Sequence, residues 1–322
     1  MSAFQQINRG FNSTFQANEL SLGVVIPIEN YNPGSSPNMK DHIDRIKLID
    51  RLGFKALWVR DIPFNVPSFG DVGQMFDPFT YLGFIAGKTE QIALGVSSIA
   101  LPLHHPLNVA KAATSIDQLS DGRMILGVAS GDRPQEYPGM NVHYENRGEL
   151  FRQAFEYIRA VQDPFPSFES SHYGNLNGQI DMLPKPVGSK IPMMMTGSSR
   201  QSLEWNAKNA DGWMNYPKNL FQQKYTIDEY RSVVSQLTDG EKPFMHPLYL
   251  DLHNDDNFRP EPIHLGFRIG VNPLVEYLHQ SKEIGVNHIA LNLRFNQLDL
   301  VETLQKLADE VLPHFHKKSE TN

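Results

Sequence analysis

The stretch SIDQLSDGRMILGVASGD, Ser115–Asp132, joins the end of a helix to a buried strand through a tight turn. Asp121 and Gly122 are typical of a turn that closes a helix. The apolar run after them is typical of a strand buried on both faces of a parallel sheet. The strand stops at a small residue, a glycine and a charge, which are the last three residues of the stretch. A helix, a turn, a strand and a polar strand end therefore form the unit whose repetition decides the fold.

The same unit occurs on both sides of this stretch. Short apolar runs predict eight strands, at 20–28, 54–61, 92–102, 123–131, 191–199, 211–215, 244–253 and 286–294. Segments with apolar residues at helical spacing predict the helices between and after them, at 39–53, 78–90, 106–122, 146–161, 200–210, 220–237, 273–284 and 298–312.

This alternation predicts an α/β fold, a (β/α)8 TIM barrel with insertions in the loops at the carboxyl-terminal ends of the strands. Two irregular stretches are the insertions, Asp163–Lys190, with a hairpin around Asn175–Gly178, and Asn254–Gly266. No linker rich in Gly and Ser breaks the chain, so we expect one domain over residues 1–322. A doubly wound sheet is the alternative, but the G-x-G-x-x-G fingerprint expected after its first strand is absent.

Composition narrows the class of protein. The formal net charge is −7 and no long basic run occurs, which argues against nucleic acid or an anionic membrane surface as a partner. The chain has no cysteine, which excludes disulfides, thiol catalysis and thiolate metal sites and fits a reducing, cytoplasmic compartment. The first 25 residues are polar and no apolar run reaches the ~20 residues of a membrane helix, so we expect neither a secretory signal nor a membrane span.

Polar side chains lie at the ends of several predicted strands. Barrels of this kind bind ligands at the carboxyl-terminal ends of their strands, so these residues are candidates for one site. Turns, helix caps and solvated charges are the ordinary alternative for each of them taken singly. The candidates are Arg60 and Asp61, Ser97 and Ser98, Ser130, Gly131 and Asp132, Gly197, Ser198, Ser199 and Arg200, and Asn215.

The segment TGSSR, Thr196–Arg200, is the most informative of these strand ends. A strand ends, a Gly-Ser-Ser turn follows, and a helix is predicted to begin with Arg200 near its first turn. The amino-terminal end of a helix carries free N–H groups and partial positive charge, which suit a phosphate. Two hydroxyls and a guanidinium would add charge-assisted donors. A serine that merely caps the helix is the alternative.

Together these segments resemble the bacterial luciferase-like flavin monooxygenases, which share a (β/α)8 barrel. The resemblance covers most of the chain, from Leu22 to Leu312, and its motifs occur in the family's order. The block TGSSR…ADGW is similar to the alkanesulfonate monooxygenase branch. The segments that carry the resemblance are GFKALWVRD, LGVSSIALPLHHPLNVAKAATSIDQLSDGRMILGVASGD, PMMMTGSSRQSLEWNAKNADGW and SKEIGVNHIALNL.

The resemblance implies roles for the strand ends. In several members a non-prolyl cis peptide after the third strand lies beneath the isoalloxazine ring, and the matching pair here is Ser97-Ser98. Ser130, Gly131 and Asp132 would line the flavin cavity. The residues implied for the flavin phosphate are Gly197, Ser198, Ser199 and Arg200.

The implied reaction uses reduced FMN and O2, through a C4a-peroxyflavin, to oxygenate a small organic substrate. The cofactor supplies the chemistry, and the protein positions it and excludes water. The resemblance also implies a separate NAD(P)H:flavin reductase and a homodimer.

The chain departs from the family at two positions. Luciferases carry Glu-His-His after the second strand, where this chain has Asp61-Ile62-Pro63, so the family's catalytic histidine is replaced by Ile62. Asp61 keeps a carboxylate and is our candidate for a catalytic or flavin-contacting group, with a salt bridge to Arg60 or a loop cap as the alternative. The luciferase arginine near the end of the fourth strand falls on Ser130.

Two further sets of residues are candidates for binding a substrate or a metal ion. Arg147 opens a predicted helix and could hold an anionic substrate, as in the alkanesulfonate branch, or form a surface ion pair. His104 and His105 look like a metal pair, but adjacent side chains in an extended segment point apart and no carboxylate stands at ligand spacing. We therefore predict no metal site.

Two other functions stay open at this point. One is an oxidoreductase that uses the deazaflavin F420, because that branch shares the barrel. The other is a protein that binds a flavin without catalysis, because the luciferase-type histidine is missing at Ile62.

Overall fold

The computed structural model describes residues 4–32 and 35–316, which form a closed barrel of eight parallel strands surrounded by helices. This confirms the predicted (β/α)8 TIM barrel. The strands are β1 (Ser21–Val25), β2 (Ala56–Val59), β3 (Ala93–Ala100), β4 (Met124–Ala129), β5 (Ser167–Phe168), β6 (Leu176–Asn177), β7 (Met193–Thr196), β8 (Gly212–Met214), β9 (Phe244–Leu252), β10 (Glu261–Ile263), β11 (Gly266–Ile269) and β12 (His288–Asn292). The α-helices are α1 (Arg9–Thr14), α2 (His42–Leu52), α3 (Pro78–Ala86), α4 (Pro106–Leu119), α5 (Glu136–Gly139), α6 (Arg147–Ala160), α7 (Leu203–Asn209), α8 (Leu220–Leu237), α9 (Val271–Glu283) and α10 (Leu300–Glu310).

The barrel follows the order β1-β2-β3-β4-β7-β8-β9-β12 and closes where β12 pairs with β1. Every pairing in this ring is parallel. Since parallel strands share one direction, their carboxyl-terminal ends meet at one opening of the barrel, which we call the mouth.

Two small hairpins lie outside the barrel, one within the first irregular stretch and one that begins in the second and ends beyond it. β5 and β6 pair antiparallel, so the hairpin predicted around Asn175–Gly178 contains one strand there and its partner nearer the start of the insertion. β10 and β11 form the second hairpin, and β11 adds in parallel to the carboxyl-terminal half of β9. This second hairpin was not predicted.

Side chains of the strands alternate between two apolar layers, as the pleat requires. In β2, Leu57 and Val59 belong to the large cluster under the helices, whereas Trp58 belongs to a second cluster inside the barrel. In β7, Met194 points inward and its neighbours point outward, so the methionines are core residues as expected.

Helix α1 closes the end of the barrel opposite the mouth. Its Phe11 and the following Phe15 are each 1% exposed and belong to the cluster inside the barrel. The amide nitrogen of Gly10 donates to the carbonyl of Gly122, next to the start of β4. This polar segment has no periodic apolar pattern, and helix α1 was not predicted from it.

The described helices include none that combines the length and the apolar character needed to cross a membrane.

Candidate functional site

The strand ends singled out in the sequence lie around the mouth of the barrel. Strands β3, β4 and β7 are neighbours, and their carboxyl-terminal ends carry Ser97 and Ser98, Ser130, and Gly197 respectively. The hydroxyl of Ser98 hydrogen-bonds to that of Thr196, although β4 lies between their strands. The two side chains therefore meet across the mouth, and the expected convergence on a single rim is present.

The peptide bond between Ser97 and Ser98 is cis, as the resemblance implied. The pairing of β3 with β4 shifts register between Val96 and Ile99, so the strand is irregular at this pair. Both serines are half-buried. Their contact with a flavin stays a prediction.

The end of β4 is shaped by a contact with the loop that follows it. Tyr137 donates its hydroxyl hydrogen to the carbonyl oxygen of Ser130, which is buried. Gly131 has a φ of +78°, and a Cβ there would lie 2.7 Å from the Tyr137 hydroxyl oxygen. The glycine is therefore required by its left-handed backbone and by a tyrosine of its own chain. Asp132 is exposed at the rim.

Asp61 pairs with a histidine and not with its neighbour Arg60, so that alternative is wrong. Its Oδ2 accepts a hydrogen bond of 3.1 Å from the amide of Ala100 and lies 2.8 Å from Nε2 of His104. The side chain of Asp61 is 4% exposed and that of His104 is 24% exposed. Burial alone would lower the pKa of His104, but its hydrogen bond to Asp61 and the negative charge of that carboxylate raise it above its usual value.

Arg60 belongs to a separate charge cluster that sequence reasoning missed. It pairs with Asp71, whose carboxylate also lies 3.4 Å from Nη1 of Arg294 and accepts the hydroxyl of Tyr31 at 2.8 Å. Burial opposes ionisation of Asp71, but the charge of Arg60 and the hydrogen bonds to the carboxylate lower its pKa to about 2. The position of Arg294 just after β12 is a signal that the strand-end rule could have used.

A second buried pair lies beside Asp61. Arg133 and Glu136 are 6% and 4% exposed, and their facing Nη1 and Oε1 atoms are 3.8 Å apart, with no hydrogen-bond partner among the described residues. The Arg133 guanidinium lies 4.5 Å from the centre of the Phe69 ring. Burial raises the pKa of Glu136 to about 7, against the lowering effect of Arg133. The sequence held no signal for this pair beyond its position after the fourth strand.

The segment Thr196–Arg200 differs from its prediction in one respect. Helix α7 begins at Leu203, and Ser202 caps it by accepting a hydrogen bond from the amide of Trp205. The expectation that Arg200 opens the helix is therefore wrong, and the Gly-Ser-Ser turn is a loop before it. This loop is compact because its residues have left-handed backbones, with φ of +56° at Gly197, +44° at Ser199 and +62° at Arg200.

Some polar side chains of this loop are hydrogen-bonded within the chain, and others are exposed. The Ser199 hydroxyl is buried and donates to the carbonyl of Thr196 at 2.8 Å. Ser198 is exposed, and its hydroxyl accepts only a long bond of 3.4 Å from the amide of Arg200. Arg200 is exposed and forms no ion pair within the ranges 4–32 and 35–316. A hydroxyl and a guanidinium are therefore left for an outside partner.

The same loop lies against the start of α6, where Arg147 stands. A Cβ placed on Gly148 would be 3.0 Å from the Cβ of Arg200, and Gln201 donates to the Gly148 carbonyl at 2.8 Å. The guanidinium of Arg147 lies 3.6 Å from the centre of the Tyr144 ring and 3.9 Å from the exposed Glu145 carboxylate. Arg147 thus has the expected surface ion pair, in a weak form, and substrate binding by it stays a prediction.

No group of three or more His, Asp or Glu side chains in the described part of the chain is arranged as metal ligands.

Comparison with known proteins supports one family. A family model described as luciferase-like monooxygenase matches residues 20–253. The alkanal monooxygenase beta chain of Photorhabdus luminescens is 30% identical over 167 residues, which are 50% of this chain and 48% of that protein. The corresponding chain of Photobacterium leiognathi is 37% identical over 213 residues, with 63% and 64% covered. This chain thus spans about half to two thirds of these relatives.

Solved structures share the fold at low sequence identity. An F420-dependent secondary alcohol dehydrogenase in complex with an F420-acetone adduct has a TM-score of 0.76 at 15% identity, covering 93% of this chain and all of the other. The oxygenating constituent of 3,6-diketocamphane monooxygenase from Pseudomonas putida, in complex with FMN, has a TM-score of 0.70 at 14% identity, covering 92% and 98%.

Proposed function

Because the chain belongs to the luciferase-like monooxygenase family, we propose that it is an FMN-dependent monooxygenase. It would use reduced FMN and O2 to oxygenate a small organic substrate. One observation carries the proposal: the ends of three adjacent strands place hydroxyls around one mouth, next to a loop whose exposed Arg200 has no ion pair in the described part of the chain.

The donors at the mouth suit a phosphorylated flavin. Arg200 and Ser198 offer an exposed guanidinium and an exposed hydroxyl, the donor types that bind phosphate. A Cβ on Gly197 would meet no atom within 4 Å, so the loop has open space on that side. The residues therefore fit an FMN phosphate, with Gly197 and Ser199 shaping the loop that presents the donors.

The remaining strand ends would surround the ring system. Ser97 and Ser98 would contact it from β3, and Ser130, Gly131 and Asp132 would line its cavity from β4. Bound FMN supplies the two-electron chemistry with O2. The protein holds the ring at the mouth and excludes water from it. Asp61 supplies the carboxylate of the proposed catalytic site, and Arg147 is the proposed site for an anionic group of the substrate.

The proposed partners follow from the same chemistry. Reduced FMN has to be delivered, so we infer a separate NAD(P)H:flavin reductase. We also propose a homodimer and a cytoplasmic location, as expected from the sequence.

F420-dependent oxidoreduction is the second candidate. It is favoured by the likeness to the F420-dependent secondary alcohol dehydrogenase, and F420 also carries a phosphate that Arg200 could hold. A non-catalytic flavin-binding role is the third, because Ile62 cannot transfer a proton.

The deciding experiment is a binding titration of the purified protein with FMN, riboflavin and F420. Arg200→Ala should weaken FMN binding by about tenfold to a hundredfold, because it removes one charge-assisted hydrogen bond. Riboflavin, which has no phosphate, should bind the variant and the wild type equally.

Arg51→Ala is the matched control, because Arg51 is an exposed arginine in the last turn of the outer helix α2. Equal losses for FMN and riboflavin in Arg200→Ala would place the phosphate elsewhere. Tight binding of F420 with none of FMN would favour the second candidate. Aerobic turnover of reduced FMN with candidate substrates separates the first candidate from the third.

A further inference from the structure

We propose that His104 is the proton-transfer residue of this site and that Asp61 positions it. The inference rests on the proposed function, because it assigns a step of that reaction. It goes beyond the family resemblance, which would place a histidine at position 62, where this chain has Ile62.

The two residues reach each other from neighbouring strands. Asp61 follows the end of β2, and His104 follows the short turn Leu101–Leu103 after β3. Ala100, the last residue of β3, donates its amide hydrogen to the same carboxylate oxygen that faces His104. The carboxylate is thus fixed to the backbone two residues beyond Ser98, at the mouth of the barrel.

This geometry leaves one nitrogen of the imidazole open. Nε2 is 2.8 Å from Oδ2 of Asp61, and this is the one ring hydrogen bond that His104 makes among residues 4–32 and 35–316. The His104 side chain is 24% exposed, so the ring has a face toward solvent while its carboxylate partner is buried. A buried carboxylate that orients a half-open imidazole is the arrangement needed for general acid and base chemistry.

Histidines elsewhere in the chain are held differently. Nε2 of His172 lies 3.5 Å from Oε1 of Glu149, but that carboxylate is exposed and not buried. Both nitrogens of His288 are hydrogen-bonded, and His246 is buried with its Nδ1 against the carbonyl of Pro247. His42 bonds to the Tyr81 hydroxyl and has no carboxylate partner in the described ranges. A carboxylate on one nitrogen orients the ring and stabilises its charged form, while an open second nitrogen can exchange a proton with a ligand.

The charges around the pair favour the protonated ring. Asp61 and Asp77 both raise the pKa of His104, and together they outweigh the lowering effect of burial. Glu136, the first residue of α5, is close enough to Asp61 for the two carboxylates to repel each other, and Arg133 lies beside it. These charges shift His104 toward the protonated form that an acid needs.

The proposed step is a single proton transfer. The protein would hold reduced FMN as its anion, which would supply two electrons to O2, so that one oxygen atom would enter the substrate and the other would leave as water. His104 gives the proton on Nδ1 to the departing oxygen, and the neutral imidazole keeps its Nε2–H bond to Asp61. Without a substrate the same proton balances the formation of hydrogen peroxide from reduced FMN and O2.

The test compares the wild type with His104→Gln, Asp61→Asn and the control His279→Gln, which changes an exposed histidine on α9. FMN affinity is measured first. The reoxidation of protein-bound reduced FMN by O2 is then followed by flavin absorbance across pH. Histidine NMR titrations of the protein without FMN give the pKa of His104, whose signal is the one missing in His104→Gln.

His104→Gln should bind FMN with the wild-type affinity and slow reoxidation by about a hundredfold or more. The wild-type rate should fall as pH rises through the pKa of His104, and His104→Gln should lose this pH dependence. In Asp61→Asn the NMR pKa of His104 should decrease, and the fall in rate should move to lower pH with it. A purely structural role would not move these two quantities together.

Wild-type reoxidation rates and pH dependence in His104→Gln would overturn the assignment, as would an unchanged His104 pKa in Asp61→Asn. Failure of the wild type to bind FMN even at high micromolar concentration would instead overturn the proposed function, and the assignment with it. Melting temperatures of all four proteins show whether a lost rate reflects unfolding.

Discussion

His288 and His104 lie at opposite ends of the same barrel and are held in opposite ways. His288 is the first residue of β12, inside the barrel near its closed end, and it is fully buried. His104 lies beyond the end of β3 at the open mouth. The two sites differ in how many ring nitrogens are hydrogen-bonded: both in His288, but one in His104.

His288 has a complete set of partners. Its Nε2 accepts a hydrogen bond of 2.9 Å from the indole of Trp58, and its Nδ1 is 2.6 Å from the hydroxyl of Ser21. The same hydroxyl lies 2.6 Å from the carbonyl of Thr14. Burial lowers the pKa of His288 to about 3, so the ring is neutral. A neutral ring whose two nitrogens are both hydrogen-bonded has no nitrogen left to exchange a proton with a ligand.

His104 has one partner and one open nitrogen, and its pKa is shifted the other way. The physical cause is the partner: a tryptophan donor requires a neutral ring, whereas a carboxylate favours a charged one. The two histidines therefore predict opposite responses to mutation and to pH.

The largest expected effect is at the closed end. Trp58→Ala should lower the free energy of unfolding by about 3–5 kcal/mol, because it leaves a cavity inside the barrel. Trp58 is fully buried, and Gly95 makes room for its ring, since a Cβ there would collide with the indole. Denaturant unfolding measures the loss.

Trp58→Phe is the matched variant, because it keeps most of the volume and removes the donor to His288 together with a smaller part of the ring. It should lower the free energy of unfolding by less, about 1–3 kcal/mol, because it leaves the buried Nε2 of His288 without a donor. FMN affinity should stay at the wild-type value. A loss of FMN binding in Trp58→Phe would break the comparison between the two ends.

The next effect is on acid stability. The pKa of His288 is about 3 in the folded protein and about 6.5 when unfolded, so the unfolded chain binds the proton more tightly. Its contribution to stability is present above pH ~6.5 and is lost as pH falls toward 3, by roughly 1.4 kcal/mol per pH unit.

His246 and His316, whose pKa values burial lowers to about 4, change stability in the same direction. The measurement is therefore the difference between wild type and His288→Gln in free energy of unfolding at several pH values. This difference should shrink as the pH falls. A difference independent of pH would show that His288 does not titrate on unfolding.

The barrel could be predicted from the sequence because its signal is local. Each of the eight strands is a short apolar run, and each was found within a few residues of its observed bounds. The missed elements have weaker patterns. Helix α1 is short and polar apart from Phe11, and its burial depends on the barrel that it closes. The hairpin β10–β11 is half exposed and lacks a long apolar run.

The site could be predicted only in part. The rule that ligands bind at strand ends found Asp61, Ser98 and Arg200 without knowledge of loop conformation. It could not find their partners. The contact of Asp61 with His104 depends on the turn after β3, and that of Arg60 with Asp71 depends on a long loop. Such pairings follow from loop conformations, which have no periodic signal in the sequence.

A smaller effect is expected at the end of β4. Gly131→Ala should cost about 2–3 kcal/mol, because it adds the penalty of a left-handed alanine to a contact with the Tyr137 hydroxyl. Gly174→Ala is the control: its φ is +80°, but a Cβ there would meet no atom within 4 Å. It should cost about 1 kcal/mol.

Gly131→Ala combined with Tyr137→Phe should cost less than the sum of the two single changes, because the phenyl ring lacks the atom nearest to the new Cβ. Additive costs in denaturant unfolding would mean that Gly131 is needed for its backbone conformation alone.

The smallest effect has the opposite pH dependence to that of His288. The pKa of His104 is raised in the folded protein, so its pair with Asp61 stabilises the fold fully below the unfolded value of about 6.5. That contribution is lost as the pH rises through the folded pKa. Because the ion pair is partly exposed, we expect the free energy of unfolding of His104→Gln to be lower than that of the wild type by about 1 kcal/mol at pH ~5.5. The difference should diminish at pH ~9, whereas the His288→Gln difference should be at its maximum there. If both differences moved in the same direction with pH, the two ends of the barrel would hold their histidines alike, and the assignment of His104 as an acid would lose its electrostatic basis.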